Sequence, residues 1–231
     1  MNYLDTARVL LSLTMLGYAS WHDLRTREIY DLVWIVFGAL GLITAIYEVY
    51  TGSLSLIGFV VPVLFSTVLS IVLGYVGLFG GADIEAFIAL AILNPSQPRQ
   101  IVPYLGVVSV IYPLSLFSNS ALSGASFALF ILARNIALAL SGKHLFGSHT
   151  SESAWKKLVV MFSGRKIRLE SVRGPPFQYP LELPPEEEGD NRKLVLLPDI
   201  RDDEAAEEVF RRLGGEGVEE VWVSHTLPFL V

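Results

Sequence analysis

The sequence has no cysteine among its 231 residues. Disulfide bonds, cysteine-ligated zinc and cysteine nucleophiles are therefore excluded together. Its four histidines form neither an i, i+4 pair nor an HExxH segment, and GxSxG and phosphate-loop patterns are missing. We accordingly expect no metal ion, no cofactor and no nucleic-acid partner.

Charged residues are scarce, at 17% of the chain against 52% hydrophobic residues. Two stretches, Val49–Ala82 and Gln100–Ala133, contain no Asp, Glu, Lys or Arg. Each is longer than the roughly 20 apolar residues that cross a bilayer. After residue 150 lie 16 of the 23 acidic and 11 of the 17 basic residues. The composition therefore predicts a membrane half followed by a polar half.

Hydropathy and turn residues predict a membrane all-α helical bundle of about five spans. The predicted helices cover residues 3–22, 31–50, 54–79, 83–93 and 112–140. Residues 101–111 would form an apolar connection outside the cell, although two separate spans at 101–118 and 122–140 fit the periodicity as well. We expect a helical domain at 1–141 and a small α+β domain at 142–226.

Within the polar half, turn and cap residues predict a short series of elements. These are a helix at 152–162, a strand at 166–172, a mobile acidic linker at 174–190, a strand at 193–197, a helix at 203–213 and a strand at 218–223. Asp202 would cap the second helix, and Gly214 and Gly215 would end it.

The orientation prediction follows from basic residues in short connections. Arg25 and Arg27 lie between helices 1 and 2, and several lysines and arginines follow helix 5, whereas the connection between helices 2 and 3 has none. This pattern predicts an outside N-terminus and a cytoplasmic polar half. For Arg25 and Arg27, anchoring of the topology is the ordinary role.

Two acids stand out by position. Asp23 follows helix 1 and Asp83 begins helix 4, so the topology places both at one membrane face. Two neighbouring carboxyls share a proton, which allows one to activate water while the other polarises a peptide carbonyl. Taken singly, each acid is more often an interfacial helix cap than a catalytic group.

Small residues precede the second acid. Gly80, Gly81 and Ala82 would let an extended substrate backbone approach Asp83, although small residues also serve helix contacts in membranes. Glu28, Asp31 and Glu85 lie on the same predicted face and could attract a basic substrate; the alternative is simple interfacial solvation.

At this point the sequence resembles the archaeal preflagellin and prepilin peptidases, which are membrane aspartyl proteases of the GxGD type related to bacterial type IV prepilin peptidases. The segments that carry the resemblance run in order along nearly the whole chain: 23–29, 80–83, 112–119, 133–136, 157–166 and 220–229. Ala82 stands where the family motif has a glycine.

The resemblance implies that Asp23 and Asp83 hydrolyse the bond before the hydrophobic segment of a short basic leader peptide, at the cytoplasmic face. Preflagellin or prepilin leaders and the lipid bilayer would be the partners. The family has six spans, so residues 227–231 would begin a further helix. The alternative function is a non-catalytic membrane scaffold or transporter-like bundle, in which the two aspartates lie far apart.

Overall fold

The computed structural model describes residues 3–76, 78–99, 101–104, 106, 109–149, 151–185, 191–200 and 202–225. These divide into two compact units, one reaching Leu122 and the other starting at Ser123. The predicted start of a last helix at 227–231 lies outside the described residues. So do residues 186–190 of the predicted linker.

The first unit is helical. It contains α1 (Tyr3–Thr26), α2 (Asp31–Tyr50), α3 (Leu56–Tyr75), α4 (Gly81–Leu93) and the first part of α5 (Tyr112–Leu140). The bounds of α2 and α5 agree with those predicted from the sequence. Helix α1 is four residues longer than predicted, so Asp23 lies within its last turn and not in a connection.

Helix α4 is central to this unit, because it packs against α1, α2 and α3. A buried core joins Met15 and Ala19 of α1 and Trp34 of α2 to Ala86 of α4. Small residues permit the close approach of the helices. At Gly41 of α2, for example, an added Cβ would lie 3.0 Å from the backbone of Leu93.

The outward faces of these helices are apolar, with many exposed leucine, isoleucine, valine and phenylalanine side chains. Such surfaces require a lipid or protein cover. By length and composition, α2, α3 and α5 are able to cross a membrane. Helix α4 has 13 residues, or about 20 Å, which is shorter than a hydrocarbon core of about 30 Å. The protein is thus a membrane protein, while the five-span count stays a prediction.

One continuous helix of 29 residues runs from Tyr112 to Leu140. The alternative of two separate spans at 101–118 and 122–140 is therefore wrong. The apolar periodicity could not distinguish the two arrangements, because it does not fix where a helix begins or ends.

The second unit combines helices and short strands, as the sequence predicts. It contains α6 (Ala154–Ser163), β1 (Gly164–Arg168), β2 (Gln178–Pro180), β3 (Glu182–Leu183), β4 (Lys193–Leu194), α7 (Asp203–Gly215) and β5 (Glu220–His225). An antiparallel sheet has the order β1-β5-β2, and β3 pairs with β4. Trp222 of β5 is fully buried in its core. Asp202 caps α7 by accepting a hydrogen bond from the amide of Ala205, 2.9 Å away.

The mobile linker predicted at 174–190 is wrong for its described part. Strands β2 and β3 lie within it, and Tyr179, Leu181 and Glu182 are buried. Glu182 is held by His149 Nε2 at 2.6 Å and by Arg192 Nη1 at 2.8 Å. These contacts across the chain order a segment whose composition is typical of a flexible connection.

Candidate active site

Asp23 lies in the last turn of α1, with its side chain 16% exposed. Arg27 Nη1 is 3.3 Å from Asp23 Oδ2, at the i, i+4 spacing that brings side chains together on a helix. Arg27 has a positive φ of 59°, the left-handed conformation that ends many helices. The same residue therefore ends α1 and orients the carboxylate of Asp23.

Asp83 lies in the first turn of α4 and is partly buried. Its Oδ2 accepts a hydrogen bond from the amide of Gly80 at 3.0 Å, as an acid does when it caps a helix. A Cβ added at Gly80 would lie 3.3 Å from that oxygen, whereas one added at Gly81 would meet nothing within 4 Å. The hydrogen bond from Gly80 thus holds the carboxylate of Asp83, while the space beside Gly81 is open.

The two acids come together at one end of the helical unit. The negative charge of Asp23 acts on Asp83, so the carboxylates lie within electrostatic reach of each other. The contacts between α1 and α4 account for this, because Met15 and Ala19 pack in the same core as Ala86. Both aspartates retain access to solvent. Asp23 and Asp83 are thus two partly exposed acids close enough to influence each other's charge.

A second pair of acids lies at the same end of α2 and α4. The charge of Asp31, the first residue of α2, acts on Glu85 of α4. Glu28 is exposed in the connection between α1 and α2, and its side chain makes no ion pair with any described residue. Ala82 does not line open space but packs against the core. A common role of Glu28, Asp31 and Glu85 in binding substrate stays a prediction, and the sequence did not distinguish the packed Ala82 from the open Gly81.

An aromatic triangle supports the start of α4. The ring centroids of Phe79, Phe87 and Phe117 lie 5.8 to 6.3 Å apart, in edge-to-face arrangements. Phe79 immediately precedes Gly80, so this packing holds the turn that carries Asp83. Sequence reasoning missed this support. The signal that could have indicated it is Phe79, an aromatic residue directly before the Gly80–Gly81 turn.

The sequence also missed a buried polar cluster at the other end of α1. Arg8 Nη1 lies 2.6 Å from Glu48 Oε2 of α2, and their side chains are 3% and 6% exposed. Ser12 Oγ accepts a hydrogen bond from Asn94 Nδ2 at 2.7 Å. These contacts tie α1 to α2 and to the end of α4. They hold the helices that carry Asp23 and Asp83 in register.

Apolar helices with exposed outward faces define a membrane protein, and Asp23 and Asp83 are its candidate site. Residues 10–129, more than half of the chain, match the type IV leader peptidase family, and the chain belongs to that family. Its class is therefore that of a membrane peptidase.

Two relatives are similar along nearly the whole chain, and both are named preflagellin peptidase. The protein of Methanococcus maripaludis is 26% identical over 223 residues, covering 92% of this chain and 84% of the relative. The protein of Methanocaldococcus jannaschii is 27% identical over 226 residues, with coverage of 92% and 83%. The similarity extends beyond the helical unit and includes the polar half.

Proposed function

We propose that this protein is an aspartyl endopeptidase that removes short basic leader peptides from preflagellins or prepilins, with Asp23 and Asp83 as its catalytic pair. The observation that carries the proposal is the packing of α1 against α4, which brings Asp23 and Asp83 within electrostatic reach of each other. Family membership and the preflagellin peptidase relatives support the substrate class.

The reaction needs one ionised and one protonated carboxyl group. Two adjacent carboxyls do not both ionise readily, so a single proton is shared between them. The ionised group removes a proton from water while the protonated group donates a hydrogen bond to the scissile carbonyl. Water attacks the carbon of the scissile carbonyl and gives a tetrahedral intermediate. When the peptide bond breaks, the proton taken from water passes to the leaving amine.

Charge supports the choice of a basic leader. Asp31 acts on Glu85, which follows Asp83 by two residues, and Glu28 is exposed in the connection between α1 and α2. Such a group of acids attracts cationic peptides and repels acidic ones. The open space at Gly81 would receive the extended backbone of the substrate. By the distribution of basic residues in the short connections, this end of the bundle faces the cytoplasm.

A non-catalytic scaffold is the alternative, and it requires no interaction between Asp23 and Asp83. We favour the peptidase because the two acids act on each other and because neither forms part of the buried ion pairs that join the helices.

The test is cleavage of a preflagellin by the membrane-embedded protein, followed by mass spectrometry of the product. Asp23→Asn and Asp83→Asn should each lower turnover by about a thousandfold or more. Glu207→Gln, at an exposed site on α7, is the matched control and should cleave normally. Normal turnover in either aspartate variant would overturn the proposal.

A further inference from the structure

The buried side chain of Asn135 joins α5 to the sheet of the second unit. Asn135 is fully buried, and its Nδ2 donates hydrogen bonds to the carbonyl oxygens of Met161 at 2.9 Å and Gly164 at 2.8 Å. Met161 lies near the end of α6, and Gly164 is the first residue of β1. Because both amide hydrogens are used, the end of α5 is fixed against the start of β1.

This junction brings two arginines together. Arg134 precedes Asn135, and Arg165 follows Gly164. Burial and the positive charge of Arg134 both lower the pKa of Arg165 from its usual value. A guanidinium nevertheless stays protonated in proteins, so two positive charges lie close enough here to act on each other.

No described carboxylate pairs with either of these arginines. Other cations of the same unit have acidic partners, for example Arg192 with Glu182 at 2.8 Å and Lys156 with Glu152 at 2.9 Å. The Nε of Arg165 is buried and has no hydrogen-bond acceptor within the described part of the chain. Two adjacent cations and an unsatisfied buried donor call for an anion.

The position of Arg134 on α5 indicates the source of that anion. The surface of α5 on either side carries exposed apolar side chains, including Phe130 and Ile136. Arg134 lies about 33 Å along the helix from Tyr112, at a rise of about 1.5 Å per residue. A helix that enters a hydrocarbon core of about 30 Å at Tyr112 therefore reaches the headgroups of the other leaflet near Arg134.

We propose that Arg134 and Arg165 form a binding site for a phosphate group, supplied by an anionic lipid headgroup. Guanidinium groups bind phosphate through paired N–H donors, and basic pockets beside membrane helices bind lipid phosphates in this way. The site is separate from the proposed peptidase chemistry, because a basic leader peptide would be repelled by it. Its role is to attach the β1 edge of the second unit to the membrane surface.

Lipid binding to the full chain tests the proposal. Native mass spectrometry would compare the binding of phosphatidylglycerol and phosphatidylcholine. The proteins are the unaltered chain, Arg134→Gln, and a double variant that carries both Arg134→Gln and Arg165→Gln. We expect preferential binding of phosphatidylglycerol to the unaltered protein, weakened about fivefold by each substitution. Arg168→Gln, on the same strand and exposed, is the matched control and should bind normally.

Soluble glycerol phosphate distinguishes the two sources of a phosphate group. If glycerol phosphate does not displace the bound lipid, the lipid is the ligand. If glycerol phosphate displaces the lipid and this displacement requires both arginines, the phosphate site stands but its ligand is soluble. Arg134 is exposed, so Arg134→Gln should fold normally. If the double variant does not fold, lipid binding to Arg134→Gln alone tests the proposal. Equal binding of the two lipids, or unchanged phosphatidylglycerol binding in Arg134→Gln, would overturn the proposal.

Discussion

Arg27 lies 3.3 Å from Asp23 while also ending α1 in a left-handed conformation. One residue thus has two separable roles, since a glycine could end the helix but could not hold the carboxylate. The left-handed conformation costs a residue with a Cβ about 1–2 kcal/mol, and glycine avoids this cost.

Replacement of Arg27 by glycine separates these roles. We expect Arg27→Gly to unfold at the same temperature as the unaltered protein or higher, but to lose about fivefold in kcat/KM, because Asp23 loses its ionic partner. Thermal unfolding in detergent and peptide cleavage are the two measurements. Arg25→Gln is a suitable control, since Arg25 stacks on Trp21 and not on an aspartate. Full activity in Arg27→Gly would show that the ion pair has no part in catalysis.

Two adjacent glycines should respond differently to substitution. Gly80→Ala places a Cβ 3.3 Å from Asp83 Oδ2, so the carboxylate must shift and kcat should fall by about tenfold. Gly81→Val adds a side chain where nothing lies within 4 Å, so the fold should persist while KM rises by about tenfold. Steady-state kinetics on a leader peptide distinguishes the two effects. An identical response of kcat and KM at both positions would contradict this division.

The buried pair of Arg8 and Glu48 should dominate the stability of the helical unit. Glu48→Gln leaves a buried cation without its counter-charge, and we expect a loss of about 3 kcal/mol or more in the free energy of unfolding. The combined variant Arg8→Met and Glu48→Leu removes both charges and should recover most of that loss. Unfolding in mixed detergent micelles measures both. A combined variant as unstable as Glu48→Gln alone would argue against the ion pair as the cause.

Much of this fold could be predicted from the sequence, for identifiable reasons. Local signals mark the ends of two helices: Asp31 and Gly52 lie at the ends of α2, and Pro113 and Gly142 lie at the ends of α5. The end of α1 was missed because the helix continues through polar residues, where the contact of Arg27 with Asp23 and a hydrogen bond from Thr26 Oγ1 to the carbonyl of His22 support one more turn.

Other features depend on contacts that no local pattern reveals. Strands β2 and β3 have three and two residues, too few for any periodicity, and they form because β5 and β4 are there to pair with them. The pairing of Arg8 with Glu48 depends on how α1 and α2 are rotated about their axes. The approach of Asp23 and Asp83 was predictable in topology alone, since hydropathy places both at one membrane face without fixing their distance.

The most direct test of the proposed catalytic pair compares Asp23→Asn, Asp83→Asn and the double variant in single-turnover cleavage of a preflagellin. Residues that share one proton act as a unit, so their losses do not add. We predict that each single variant loses about a thousandfold or more and that the double variant is no slower than the worse of the two. Losses that multiply in the double variant, or a single variant that cleaves at the normal rate, would contradict the account.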